Sequence, residues 1–259
     1  MNDFVAMILL AIIQGLSEWF PISSSGHLVL FSRILGFENS VPFDVTLHFG
    51  TLMAVFVYFG KDIVMIVEDL LRGKWKTENA KLGFLLIIAT IPAAVIGFTF
   101  RRIFEASFES LWIVAFGFAI TSIILFISSL DFGKNLKKIP NYNDAWVIGF
   151  SQAAAILPGI SRSGATISSG LLRGLDSKSA MKFSFLMAIP AIFGASILEI
   201  GNSTLPSAFI IPTIVSFIVG MLTIHILLKF VGDSKKNLRW FAIYEIVLAV
   251  ALMIYLIFS

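Results

Sequence analysis

Six long apolar stretches dominate the chain, at roughly 43–60, 82–100, 111–130, 180–200, 209–228 and 240–258. Each approaches the roughly 20 residues that a helix needs to cross the hydrocarbon core of a bilayer. Their Ile, Val and Phe content would favour strands in water. A lone strand cannot satisfy its backbone in lipid, so continuous runs of this length predict helices. Trp112 and Trp240 stand near stretch ends, where interfacial aromatic anchors belong. Two further segments break the pattern. The apolar run 4–13 meets the polar string Gln14-Gly15-Leu16-Ser17-Glu18-Trp19-Phe20-Pro21-Ile22-Ser23-Ser24-Ser25-Gly26-His27, and apolar residues resume at 28–31. The run 145–157 likewise meets Pro158-Gly159-Ile160-Ser161-Arg162-Ser163-Gly164, followed by a short run to Leu172. A straight span would leave either polar centre in lipid. A re-entrant hairpin, with its tip in protein or water, avoids that cost.

The two broken segments match each other. Gln14 and Gln152 are 138 residues apart, as are Ile22 and Ile160, Ser23 and Ser161, Ser25 and Ser163, and Gly26 and Gly164. Leu52-Met53-Ala54-Val55 echoes Leu186-Met187-Ala188-Ile189, and Trp112 echoes Trp240. The pattern predicts a single all-α polytopic membrane domain over 1–259, duplicated internally as 1–131 and 141–259 with a basic linker at 132–140. Each half is one re-entrant hairpin plus three transmembrane helices. Three is odd, so the halves insert with opposite orientation, the inverted repeat of many transporters.

Charge tests this threading. With the N-terminus outside, fifteen of the 19 Lys and Arg fall in inside loops, three fall outside, and Arg162 remains in the second tip. That bias follows the positive-inside rule. It brings the first hairpin in from outside and the second from inside. Composition agrees with a membrane chain: 58% hydrophobic residues, mean hydropathy +0.93 and 14% charged residues, against roughly 25% charged in ordinary soluble domains. Disordered, coiled-coil and nucleic-acid-binding chains are excluded, and the net charge of +3 needs no polyanionic partner. The start, Met1-Asn2-Asp3, has no basic region of the signal-peptide type. With no Cys there is no disulfide framework or thiolate chemistry.

Few polar groups remain at membrane depth. An Arg near the bilayer centre costs about 2.5–3.5 kcal/mol on insertion scales, so Arg162 needs a partner or a wet cavity. The plain alternative is a structural ion pair with Glu18. Context favours an anion site, because Ser161-Arg162-Ser163-Gly164 falls where a helix restarts. Its backbone N–H groups and the guanidinium fork suit phosphate oxygens. Thr166 adds a hydroxyl. In the first tip, Gln14 and Glu18 are four residues apart and share a helix face. Glu18 can hold a metal or position a water. Ser23, Ser24 and Ser25 offer hydroxyls, Gly26 allows close backbone approach, and His27 can move protons near neutral pH. Asp44 and His48 form another i,i+4 pair, read equally well as a helix cap with a satisfied histidine or as support for the site. His225 is expected to pack or bond to a neighbouring helix. Glu199 and Glu245 are expected near span ends. Gly170-x3-Gly174 is a weak packing signal, and Asn202-Ser203-Thr204 is an acceptor sequon.

There is no P-loop, H-E-x-x-H or G-x-S-x-G. Ser161-Arg162 is similar to a string of the type-two phosphatidic-acid phosphatases, but Ser168 stands where their second histidine belongs and no Arg-Pro occurs. The longer strings resemble another family. Gln14 to Glu18, Pro21 to His27, Leu157 to Thr166, and Phe183-Ser184-Phe185-Leu186 together look like the membrane-integral undecaprenyl-diphosphate phosphatases of the bacitracin-resistance type. The resemblance covers nearly the whole chain. One departure is Gln14, an amide where the family pattern allows a carboxylate.

The resemblance implies hydrolysis of undecaprenyl diphosphate, a C55 polyprenyl diphosphate, to the monophosphate plus inorganic phosphate on the outer side of the cell membrane. That recycles the lipid carrier for cell-wall synthesis. It implies Mg2+ or Ca2+, and a homodimer as partner state. Carried over by position, Glu18, Ser24, His27 and Arg162 form the catalytic set. Ser23, Ser25, Gly26, Ser161, Ser163, Gly164 and Thr166 line the phosphate, Glu18 and Gln14 face the metal, and Asp44 and His48 stand behind. Either Ser24 attacks with His27 as base, or an activated water does. The competing reading is an inverted-repeat transporter or flippase for the same class of lipid.

Overall fold

The computed structural model describes residues 2–38, 40–131, 136–200 and 206–258, without the side chains of residues 195 and 197–200. Within them the chain is helical, with one isolated parallel bridge between Lys137 and Leu175. The helices are α1 (Asp3–Trp19), α2 (Ser24–Leu35), α3 (Val41–Tyr58), α4 (Gly60–Leu71), α5 (Glu78–Thr99), α6 (Arg101–Ser107), α7 (Leu111–Ser129), α8 (Tyr142–Ala154), α9 (Arg162–Leu172), α10 (Ser177–Ile200), α11 (Ile210–Asp233) and α12 (Leu238–Phe258). Most start at a polar cap. Asn2, Ser40, Thr77 and Ser110 each accept a backbone N–H of their own first turn, and Asn141 and Asp144 form a reciprocal capping box.

Among the described residues, five helices are long and apolar enough to cross a membrane: α3, α5, α7, and α11 and α12 with the short 3-10 turns before them. Each lies in one of the expected stretches. The sixth stretch falls in α10. That helix has 24 residues, and its C-terminal side chains lie outside the described residues. The outer faces of these helices are apolar, with Val57, Phe98, Leu222, Val247 and Tyr255 exposed. Against lipid such exposure carries no penalty.

The first polar break is narrower than the sequence pattern predicts. Helix α1 runs through Gln14, Glu18 and Trp19, because their side chains are buried among neighbouring helices rather than solvated. Only residues 20–23 remain as a tip. The second tip spans residues 155–161, and Ser161 caps α9 at the expected restart. Glu199 (by its side chain), Lys134 and the sequon at 202–204 lie outside the described residues.

Glycines set the closest approaches. A Cβ on Gly15 would lie 2.6 Å from Val219 on α11, and one on Gly149 would lie 2.5 Å from the Ala89 carbonyl on α5. One on Gly50 would strike Ser216. So α1 and α3 both pack on α11, while α8 packs on α5. Gly170 sits 3.2 Å, by the same construction, from Ala180, whereas Gly174 lies past the end of α9 with φ 87°. The Gly-x3-Gly string is thus a helix end rather than a helix-packing stripe.

Candidate active site

The two tips touch. Ser163 Oγ donates to the Phe20 carbonyl (3.1 Å). A Cβ on Gly26 would lie 3.0 Å from Gly159 Cα, and one on Gly164 would lie 3.4 Å from Pro21. The second tip is held from below by α7: Ser161 N donates to Thr121 Oγ1 (2.9 Å), which donates to the Gly159 carbonyl (3.0 Å). Gly159 adopts φ 90°, a conformation open to glycine at little cost.

Glu18 is the hub. It is 5% exposed and reaches both tips. Its Oε1 accepts from Arg162 Nη2. Its Oε2 accepts from Gln14 Nε2 (2.9 Å) and Ser24 Oγ (2.8 Å), and His48 Nδ1 lies 3.1 Å away. Gln14 Nε2 is also 2.8 Å from His48 Nδ1. A carboxylate at this depth is costly alone, and one cation with several donors compensates it. The ion pair named above as the plain alternative is therefore present. It spends only part of the Arg162 guanidinium, which has five N–H donors. One more reaches toward the Ser184 carbonyl (3.4 Å), and the Trp19 ring lies 5.2 Å from the guanidinium carbon. The rest can face an anion.

The remaining expected residues fall into smaller groups. Ser161 caps Gly164 N (3.0 Å) and lies 3.2 Å from Ser163 Oγ. Thr166 Oγ1 pairs with Ser184 Oγ (2.6 Å) and donates to the Arg162 carbonyl (2.8 Å), bracing the backbone behind the arginine. Ser23 caps Gly26 N (3.3 Å) and lies 3.4 Å from Ser25 Oγ. Asp44 occupies the first turn of α3, one turn before His48. His27 turns elsewhere: Nδ1 meets the Ser23 carbonyl (2.8 Å) and Nε2 meets Tyr244 Oη (2.7 Å).

Four participants escaped sequence reasoning. Trp19 and Ser184 lie inside strings that carried the family resemblance, but nothing in those strings gave them a task. Thr121 and Tyr244 lie in apolar spans with no local signal. Two other groups are placed differently from expectation or as expected. His225 Nδ1 meets Tyr58 Oη (3.3 Å), as a helix-bonding histidine should. Glu245, expected near a span end, is fully buried inside α12 with neither oxygen hydrogen-bonded. The helix begins at Leu238, so Glu245 sits two turns deep.

Comparisons with known proteins agree on one group. The family model described as Bacitracin resistance protein BacA matches residues 7–251. A relative from Thermosipho melanesiensis is 42% identical over 243 residues, covering 94% of this chain and 96% of its own. One from Carboxydothermus hydrogenoformans is 40% identical over 264 residues, covering 98% and 97%. One from Mycobacterium leprae is 37% identical over 265 residues, covering 96% and 93%. Each relative is named undecaprenyl-diphosphatase.

Proposed function

This chain belongs to the bacitracin resistance protein BacA family, and from that premise we infer that it is an undecaprenyl-diphosphatase, a membrane hydrolase releasing phosphate from undecaprenyl diphosphate. The observation that carries the site assignment is the Glu18 carboxylate bridging Ser24 on the first tip and Arg162 on the second. The diphosphate sits against both tips with its prenyl tail leaving among apolar helices. Arg162 and the α9 N-terminus bind the terminal phosphoryl group and stabilise the charge on its oxygens in the transition state. Glu18 takes the proton of the attacking oxygen. That oxygen is Ser24 Oγ, already donating to it, or a water in the same place. The new P–O bond forms as the bridging P–O bond breaks, and the lipid monophosphate leaves. On the serine route water then cleaves the phosphoserine.

The implied divalent cation fits the donor set. Gln14 Oε1 is buried with no hydrogen-bond partner, one helical turn from Glu18. Among the described residues no three His, Asp or Glu gather. Two protein oxygens, with water and substrate phosphate completing the shell, suit Mg2+. When bound, the ion polarises a phosphoryl oxygen.

The inverted threading belongs to the same proposal. Helix α8, at 13 residues, spans about 20 Å and α9, at 11, about 17 Å, short of a core of about 30 Å. The packing supports opposite entry. Trp19 lies beside Gly220 and Gly15 beside Ser216, so α1 runs parallel to α11; Gly149 lies at Ala89 and Gly97 at Ile156, so α8 runs parallel to α5. On this threading two crossings, α7 and α10, lie between α5 and α11, which makes their directions opposite. Side-of-membrane contacts agree as well. Lys182 meets Asp62 (2.6 Å) and Lys235 meets Asp131 (3.5 Å), each pair within the basic inside set, while Arg33 Nη2 donates to the Glu109 carbonyl (2.6 Å) in the outside set.

The test is phosphate release from undecaprenyl diphosphate by the purified protein in detergent, with Mg2+, Ca2+ or chelator. We expect metal-dependent release that falls at least about 100-fold in kcat/KM in Arg162→Ala and in Glu18→Ala. Wild-type turnover in both variants would overturn the site.

A further inference from the structure

The His27 ring is bonded at both nitrogens. Nδ1 lies 2.8 Å from the Ser23 carbonyl, and a carbonyl can only accept, so Nδ1 carries a proton. In a neutral ring that leaves Nε2 with a lone pair, 2.7 Å from Tyr244 Oη, whose hydroxyl then donates. The two rings are stacked, with centroids 5.7 Å apart and planes 14° apart, and Phe118 closes the edge at 5.3 Å. His27 is buried, whereas Tyr244 is partly exposed. A second contact, one turn earlier on the same helix, is independent of this bond. Phe241 packs on Phe20 of the tip with centroids 5.2 Å apart. Helix α12, more than 200 residues downstream, thus touches the first tip at Phe20 and the first turn of α2 at His27.

What the contact holds is unusual. Ser23 has φ 60°, the one positive φ at a non-glycine residue among those described. L residues avoid this region and need surrounding support to stay there. The Ser23 carbonyl accepts twice from His27, from the ring and from the backbone N–H (3.1 Å). That fixes the peptide plane leading into Ser24, whose hydroxyl reaches Glu18.

We propose that Tyr244 is a positioning residue for the phosphatase reaction, acting through His27 to lock the strained Ser23 turn that aims Ser24 at Glu18. On this reading the lone pair of His27 is committed to Tyr244. The histidine is a strut, and Glu18 takes the proton. The proposal rests on the phosphatase reading and on Ser24 as a working residue.

The chain has three histidines, so 15N-histidine labelling of the full-length protein in detergent resolves the tautomer of His27. Its signal is assigned by loss in His27→Gln. The expected wild-type spectrum shows Nδ1 protonated and Nε2 bare. A proton on Nε2, with or without one on Nδ1, overturns the proposal without any Tyr244 variant. Tyr244→Phe keeps the ring and removes the donor. It is expected to lower kcat about tenfold, to leave KM within twofold, and to shift the 15N signal of His27, while Tyr255→Phe on the lipid-facing side of α12 changes neither. A Tyr244→Phe enzyme with wild-type kcat and an unchanged His27 spectrum also overturns it. If the wild-type protein releases no phosphate while the tautomer is as expected, the functional reading has failed and the hydrogen-bond lock has not.

Discussion

At the scale of single residues, the ionisable side chains inside this molecule differ in how they are compensated. Glu18 has a guanidinium, an amide, a hydroxyl and an imidazole around it. Glu245 is equally buried and has no hydrogen bond. Burying an uncompensated carboxyl is expensive, and replacing it with a hydrophobic group of similar volume removes that cost. Glu245→Leu is therefore expected to raise the Tm in detergent by about 3 °C or more; a fall would mean that the carboxyl has a partner in the membrane. Arg162 invites the opposite experiment. Its planar fork reaches Glu18 and Ser184 at once, which the point charge of a lysine cannot copy. Arg162→Lys should lose at least about tenfold in kcat/KM, and full activity would show that charge alone suffices. Residue chemistry of this kind was partly legible in the sequence. A Glu, serines, a His and an Arg inside apolar surroundings stand out against their neighbours. Their pairing did not. The partner of His27 is a tyrosine 217 residues away in an ordinary span, and no local pattern announces it.

At the scale of elements, hydropathy located the spans well and their ends less well. Among the described residues, the helices fit to cross lie in five of the six stretches. The tips were harder, because polar residues interrupt the apolar pattern whether they end a helix or sit buried within one. Gln14, Ser17 and Glu18 read as a break and are the last turns of α1. Packing at the glycines is likewise silent until the neighbours are known. Gly50→Ala would press a methyl into Ser216 and is expected to cost about 1–3 kcal/mol, measurable as a lower Tm. The linker end shows a different device. Asp144 is fully buried at the start of α8, and Asn141 N (3.0 Å), Lys137 Nζ (2.9 Å) and Arg173 Nε (2.9 Å) all donate to it. Burial pushes this carboxyl up; the Asn141 N–H and the two cations outweigh it, so its pKa lies below the ordinary aspartate range. A carboxyl depressed in the folded state stabilises at pH above its unfolded pKa of about 3.9, and the benefit disappears as pH falls through the folded value. The Tm gap between wild type and Asp144→Asn should be full at pH 7 and should shrink below about pH 4. A gap that is constant with pH would remove the ionic explanation.

At the scale of the whole molecule, the repeat in the sequence and the crossed packing express one plan. The two polar-interrupted segments each lie against a long helix distant in sequence or across the linker, α1 on α11 and α8 on α5. The halves are unequal in chemistry, since Ile156 and Ala165 occupy the positions that correspond to Glu18 and His27. Because the chain has no cysteine, single-cysteine variants can report the threading. A cysteine at Glu109 should react with an impermeant maleimide on intact cells and one at Lys76 should not. The reverse pattern would invert the orientation while leaving the site intact.

The ion pair that joins the halves also sets a timetable. Glu18 and its arginine are 144 positions apart, and ribosomes add about 5–20 residues per second. The segment carrying Glu18 is thus made roughly 7–30 s before the cation that neutralises it. During that interval the nascent segment has no reason to settle in the bilayer interior. The Glu18–Arg162 pair can form only once the first 162 of the 259 residues have been made.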